Sequence, residues 1–420
     1  MQRKSWHVMG EIFELEPRYK VVDYLGSGAY GTVCAVRDST ADHTVAIKKC
    51  KKIFSSRTLA KRTLREIRLL RMFSHENIVT LNSLLQPTDV TCFSDLYLVF
   101  EIMDTDLAQI IRSPQELKEQ HVQYFAHQLL QALSYIHSKN IVHRDIKPRN
   151  ILINADCSLK LADFGLARMY KNEGPERITA ITDYVTTRWY RAPEVIVGWT
   201  SYTSAVDMWA VGCIVAELIS RTPLFPGENT LKQIGLIIRI MGSPTEDFIM
   251  RSQKSTFRQY MNSSRNRHAV ELAQVIPNGS ENAINLCRRL LDYDPSRRLL
   301  ASECLAHPFV ANMGNQLPPP VCSPLNIPEE EFEFEARKLT IEDLRAEITR
   351  EIVFYDVQQS DPTLDDNEKE SEELLGASPD SEGTDFREQT PQRPMPDSVD
   401  SEEEADGEGA EGEGTEGEGT

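Results

Sequence analysis

His143-Arg144-Asp145-Ile146-Lys147-Pro148-Arg149-Asn150 sets a carboxylate, an ammonium and a side-chain amide close together in one short stretch. Four other stretches flank it in order: Gly26-Ser27-Gly28-Ala29-Tyr30-Gly31, Val45-Ala46-Ile47-Lys48, Asp163-Phe164-Gly165 and Ala192-Pro193-Glu194. Taken alone, the glycine-rich stretch would suit a dinucleotide turn. It lies between two expected strands rather than ahead of a helix, which favours a flap whose backbone comes close to phosphate oxygens. Lys48 stands in an apolar strand, an unfavourable place for an ammonium without an anionic partner.

The surrounding pattern divides the chain into two lobes. From Tyr19 to Phe100, β-branched and aromatic runs such as Lys20-Val21-Val22-Asp23-Tyr24-Leu25 and Leu96-Tyr97-Leu98-Val99-Phe100 alternate with turns, which predicts a small sheet. One helix interrupts it around Arg57 to Phe73, where Leu64, Ile67, Leu70 and Arg71 recur at helical spacing and carry Glu66 beside them. Beyond Met103 the period is helical. Val122, Phe125, Leu129, Leu133 and Ile136 form one stripe, and a second buried helix is expected over Ser204 to Ser220. The lobes would meet at Glu101-Ile102-Met103, and ligands favour such clefts.

In their order the five stretches resemble a protein kinase, and Thr182-Asp183-Tyr184 resembles the activation loop of a mitogen-activated protein kinase. The resemblance covers about residues 10 to 355. It implies an α+β, two-lobed protein kinase fold, with a small antiparallel β-sheet lobe carrying one helix and a larger, mainly helical lobe. The expected units are an N-terminal extension (1–18), small lobe (19–103), large lobe (104–311), an extension packing on the kinase (312–357) and an acidic tail (358–420).

The implied activity is ATP-dependent phosphorylation of serine and threonine. Asp145 would be the base, Lys147 the γ-phosphate contact, and Lys48 with Glu66 the clamp on the α- and β-phosphates. Asn150 and Asp163 would hold Mg²⁺, a hard cation that prefers oxygen ligands. Gly26, Ser27, Gly28, Ala29, Tyr30 and Gly31 would cover the triphosphate. Val33, Ala46 and Leu152 would wall the adenine, Glu101 and Met103 offer hinge backbone, Asp106 lie near the ribose, and Phe100 guard the back pocket.

Regulation follows from charge. By resemblance Arg65, Arg144 and Arg168 converge on one point and await a phosphate on Thr182, while Arg188 and Arg191 receive one on Tyr184. Arg188-Trp189-Tyr190-Arg191 implies Ser/Thr-Pro substrates, although Thr186 stands where the family commonly has Ala or Val. Arg149 likewise departs from a usually small or uncharged position. The family's acidic docking patch is missing after His307-Pro308-Phe309, and Glu329-Glu330-Glu331 is its nearest replacement. Implied partners are protein substrates, an upstream dual-specificity kinase and a phosphatase. A pseudokinase scaffold and a cyclin-dependent-type kinase share the fold. The first is disfavoured by the presence of Lys48, Asp145, Asn150 and Asp163, the second by the Thr-x-Tyr pair.

Composition sets outer bounds. The 420 residues are 40% hydrophobic, and the longest apolar run, Met208 to Ala216, falls well short of the ~20 residues of a spanning helix. With no apolar leader in the first residues, a cytoplasmic protein without a membrane partner is expected, with the nucleus left open as a second compartment. Eight cysteines without a Cys-x-x-Cys read as reduced thiols. Residues 361–420 carry 22 acids and 3 bases, leaving the rest of the chain at a net charge of +1. The acidity therefore belongs to the tail, whose composition predicts disorder. No field on the body invites nucleic acid, and a monomer is expected.

Overall fold

The computed structural model describes residues 3–28, 31–90, 92–169, 187–199, 203–314, 317, 319–323, 325 and 327–360. Ala29, Tyr30, Thr182, Tyr184, Thr186 and the acidic tail beyond Ser360 lie outside the described residues.

An N-terminal hairpin, β1 (Lys4–Val8) and β2 (Glu11–Leu15), occupies the expected extension. Five antiparallel strands follow: β3 (Tyr19–Gly28), β4 (Gly31–Asp38), β5 (His43–Cys50), β6 (Leu81–Leu85) and β7 (Leu96–Glu101), in the order β3-β4-β5-β7-β6. The period of two decides what each face does. Val45 and Ile47 of β5 and Tyr97 and Val99 of β7 pack with Phe13 and Leu15 of the hairpin. Ala46 and Cys50, with Leu96, Leu98 and Phe100, face the other way into the main core, so Lys48 emerges on that inner side.

Helix α1 (Arg57–Met72) crosses the inner face. Ser56 caps it by accepting the Leu59 N–H at 3.2 Å, and Leu64, Ile67 and Leu70 are buried. The same helix buries Arg62, Arg65, Glu66 and Arg68, so four charged side chains must find partners within the fold.

The large lobe is helical, as the pattern predicts. Its parts include α2 (Leu107–Arg112), α3 (Glu119–His137), α4 (Pro193–Ile196) and α5 (Ala205–Ser220), whose residues are buried on every side through Leu218. A helix apolar all round belongs in the middle of a core. Trp209 of α5 stacks on Phe225 at 5.7 Å. The start of α4 is fastened by a fully buried pair in which Arg298 donates to both carboxylate oxygens of Glu194 at 2.7 and 2.8 Å, and to the Ala205 carbonyl at 2.9 Å. Each charge is hydrogen-bonded, the condition under which such a pair is tolerated.

Past Phe309 the chain returns to the small lobe. A 3-10 segment, Glu329–Glu335, leads into the helix Ile341–Ser360, whose Leu344, Ile348, Ile352 and Tyr355 are buried. That helix packs on α1 and β6. No described helix is long and apolar enough to cross a membrane, and all eight cysteines are unpaired.

The turn after α1 holds His75, 8% exposed, whose Nδ1 accepts the Asn77 N–H at 3.0 Å and whose ring lies against Tyr135. Burial, with Lys160 adding to it, lowers its pKa to about 4. Because the unfolded chain takes up this proton near pH 6.5, stability from neutral His75 is full above that value and is lost as pH falls towards 4. Between pH 7 and pH 5 the loss amounts to about 2 kcal/mol. Urea unfolding of His75→Asn at the two pH values should show a correspondingly smaller difference than the parent chain.

Candidate active site

The side chain of Lys48 meets Glu66 of α1 at 2.5 Å, and Asp163 lies 3.9 Å from the same ammonium. Burial opposes the lysine's charge, but Glu66 and Asp163 outweigh it and hold its pKa above the ordinary value. Asp163 adopts the left-handed backbone region, with φ 64°, and its Oδ1 also accepts from Arg62 at 3.3 Å. Burial disfavours this carboxylate; Lys48, Arg62 and Lys147 together keep it ionised well below the usual range. Phe164 is fully buried between Phe73 and His143, at 4.9 and 4.8 Å. A Cβ at Gly165 would meet the Arg62 side chain at 2.5 Å, so glycine lets α1 approach this turn.

The loop that begins at His143 hangs from α5. Asp207 Oδ2 accepts the His143 N–H at 2.8 Å and lies 2.9 Å from His137 Nε2, while Oδ1 accepts the Arg144 N–H at 2.8 Å. Burial works against Asp207, and the His137 and backbone hydrogen bonds overcome it, leaving the pKa low. Arg144 has φ 72°, so the loop turns sharply just where Asp207 grips it. On the far side of that turn Lys147 donates to Asp145 Oδ2 at 2.5 Å, and Asn150 donates to Asp145 O and Oδ2 at 2.9 and 3.1 Å. The three residues expected to work together are in direct contact.

Met103 apart, the residues expected around the adenine lie on two sheets. Gly26 pairs with Val33 and Val33 with Lys48, while Ala46 pairs with Phe100 and Val45 with Glu101, which places the glycine flap and the hinge on the same sheet. A Cβ at Gly31 would strike the Lys49 carbonyl at 2.3 Å, whereas Gly26 and Gly28 face open space. Gly31 therefore serves strand packing, and the other two leave room above the cleft. From below, Leu152 pairs with Asp106. The Asp106 carboxylate caps α2 through the Gln109 N–H at 2.9 Å, a structural use that the motif does not announce. Glu101 turns its side chain to Lys160 and the Thr80 N–H. Met103 is buried.

A protein kinase domain matches residues 19–310. The chain is 43% identical over 354 residues to the mitogen-activated protein kinase homolog NTF6 of Nicotiana tabacum, which covers 84% of this chain and 93% of the relative. The chain belongs to the mitogen-activated protein kinase family. It is 45% identical to extracellular signal-regulated kinase 1 of Dictyostelium discoideum over 351 residues, and 45% identical to mitogen-activated protein kinase 14 of Oryza sativa subsp. japonica over 341. Those matches take in 84% and 80% of this chain, which spans 65% and 62% of the two relatives' lengths.

Two of the expectations need correction. Arg65 does not wait without an anion: it bonds both carboxylate oxygens of Glu335, with Nη2–Oε2 at 2.8 Å, and donates Nη1 to the Gly165 carbonyl at 2.7 Å. The acidic run at 329–331 is not simply a solvent-facing docking patch either, because Glu331 is drawn inward to Arg71 at 2.8 Å and Arg68 at 3.4 Å. Arg168 donates to the Ala167 carbonyl and Arg188 to the Glu228 carbonyl. Thr182 and Tyr184, the residues expected to bring phosphates to Arg65, Arg144, Arg168, Arg188 and Arg191, are outside the described residues. Asp207, Arg62 and Glu335 belong to none of the five motif stretches. Asp207 carried one signal, a carboxylate at the edge of the longest apolar run; the others are far from their partners in sequence.

Replacing Asp207 by alanine leaves two backbone N–H groups of the loop without acceptors, at about 1–3 kcal/mol each. Asp207→Ala should lower unfolding stability by about 3 kcal/mol in urea titration. It should also depress kcat more than it raises KM for ATP.

Proposed function

We propose that the protein is a cytoplasmic, monomeric serine/threonine kinase that transfers the γ-phosphoryl group of ATP to Ser/Thr-Pro sites and is switched on by phosphorylation of Thr182 and Tyr184. The observation that carries it is the assembly of Lys147 and Asn150 on the Asp145 carboxylate, together with a formed Lys48–Glu66 pair. Family membership supports ATP with a divalent metal, protein substrates, and control by an upstream kinase and a phosphatase.

The residues fit Mg²⁺. Asn150 spends its N–H on Asp145, which leaves an amide oxygen as a donor, and Asp163 is held ionised by the cations around it. Among the described residues no group of three or more His, Cys, Asp or Glu could cage a metal, as suits an ion that takes its remaining ligands from phosphates and water. When bound, the ion supplies charge neutralisation at the phosphates. Lys48, kept in place by Glu66, holds the α- and β-phosphates. Asp145 accepts a hydrogen bond from the substrate hydroxyl and takes its proton as the oxygen bonds to the γ-phosphorus. The bond from that phosphorus to the β-phosphate oxygen breaks, and ADP leaves with the electron pair. Lys147 sits beside Asp145, where negative charge develops on the transferred group.

A phosphate on Thr182 would approach Arg144 and Arg168 and compete with Glu335 for Arg65. One on Tyr184 would engage Arg188 and Arg191. Each orders a different part of the loop.

Asp145→Asn should cut transfer to a Ser-Pro peptide by more than about 100-fold while ATP affinity, read by titration calorimetry, stays within a few-fold. Turnover near the parent rate would remove Asp145 from its role. For the switch, phosphatase-treated, singly and doubly phosphorylated chains should differ in kcat, the doubly modified form being the fastest. Equal rates would refute the switch and leave the kinase standing. A Ser-Ala peptide should be the poorer substrate.

A further inference from the structure

Arg65, Arg68 and Arg71 project from α1 at intervals of three and meet carboxylates of the returning C-terminal segment. Arg68 bonds Glu347 at 2.6 Å and Glu351 at 2.8 Å, and Arg71 bonds Glu351 at 2.8 Å. These two tie the helix to the C-terminal segment alone. Arg65 differs, because one edge of its guanidinium grips Glu335 and the remaining nitrogen donates to Gly165, within the Asp163-Phe164-Gly165 turn. Its immediate neighbour is Glu66, the partner of Lys48. Successive helix residues lie about 100° apart, so fixing the direction of Arg65 fixes that of Glu66.

Glu335 is itself held. Lys61, one turn earlier on α1, donates to the Glu335 carbonyl at 3.0 Å and to the Arg337 carbonyl at 2.8 Å. Phe334 is buried, with the Arg68 guanidinium 5.2 Å from its ring. The carboxylate is thereby presented to Arg65 from a backbone anchored on both sides. Arg65 is 3% exposed, so without an anion two of its donors would lose their partners away from water. The helix would have to rotate to rehydrate them.

We propose that Glu335 is a positioning residue for phosphoryl transfer: a carboxylate built into the C-terminal extension that fastens Arg65 to the Gly165 turn and keeps Glu66 against Lys48 in the absence of any phosphate. The inference rests on the kinase reading above. It makes the extension part of the active site's scaffold, acting through α1.

Hydrogen exchange on the full, phosphatase-treated chain tests the geometry, and kinetics test the consequence. Glu335→Gln should raise exchange tenfold or more in 57–72 and 163–169 while α5 stays protected. In this same phosphatase-treated chain it should lower the basal kcat about tenfold, with the peptide KM unchanged. Glu335→Asp, which restores the charge, should recover most of the protection and rate. Arg65→Gln should reproduce the loss, and the double variant should be no worse than either single one. Unchanged exchange in Glu335→Gln, or losses that multiply in the double variant, would overturn the proposal. Should Glu335→Gln also lose α5 protection, Glu331→Gln decides: it removes a charge from Arg68 and Arg71 but leaves Arg65 paired, so 163–169 must stay protected, and deprotection there refutes the role. Failure of the doubly phosphorylated parent to transfer phosphate would instead refute the kinase reading, while the exchange results still judge Glu335.

Discussion

Burying charge on α1 is the constraint around which the small lobe is arranged. Arg62, Arg65, Glu66 and Arg68 are each less than a tenth exposed, on a helix that also supplies core leucines. A charge in that position persists only when bonded, because losing its partner leaves the whole desolvation penalty uncompensated. The partners come from three places: Lys48 on the sheet, Asp163 and Gly165 beside the cleft, and Glu331, Glu335, Glu347 and Glu351 from the returning segment. Sheet, cleft and C-terminal extension are therefore coupled through one helix. A shift of α1 that relieved one contact would strain the others.

The large lobe solves a different problem with similar means. The loop from His143 to Asn150 must hold polar side chains on a backbone that does not move, and its own sequence is too short to pack. Asp207 resolves this by extending two carboxylate oxygens from the most buried helix to the N–H groups of His143 and Arg144. The pair Glu194–Arg298 fastens the next segment in the same manner. Rigidity is thus borrowed from α5 and transmitted by hydrogen bonds to the residues that face the cleft, which is how a site on a loop keeps its geometry.

Much of this was legible from the order of residues. The β-branched and aromatic runs placed Lys48 on a sheet, the helical spacing from Arg57 to Phe73 delimited α1 closely, and the family resemblance named Glu66 as the anion that a lysine in an apolar strand needs. The contacts among Asp145, Lys147 and Asn150 were also readable, since these residues are neighbours in sequence. Arg65 was misjudged because its partner lies 270 positions away. Glu331 looked like surface charge for the same reason: a run of glutamates has the same appearance whether water or arginine receives it.

Local order by itself determined the two lobes, the strand and helix limits, and which residue types share the cleft, because side-chain periodicity and short spacing are properties of the chain before it folds. Tertiary structure alone decided which charges answer one another. Asp106 became a helix cap as well as a ribose candidate, Asp207 became the anchor of the loop that begins at His143, and Glu335 reached Arg65 instead of water. Electrostatic and hydrogen-bond partners are selected by proximity after collapse, at separations of tens to hundreds of residues, and no periodicity in the sequence encodes that distance.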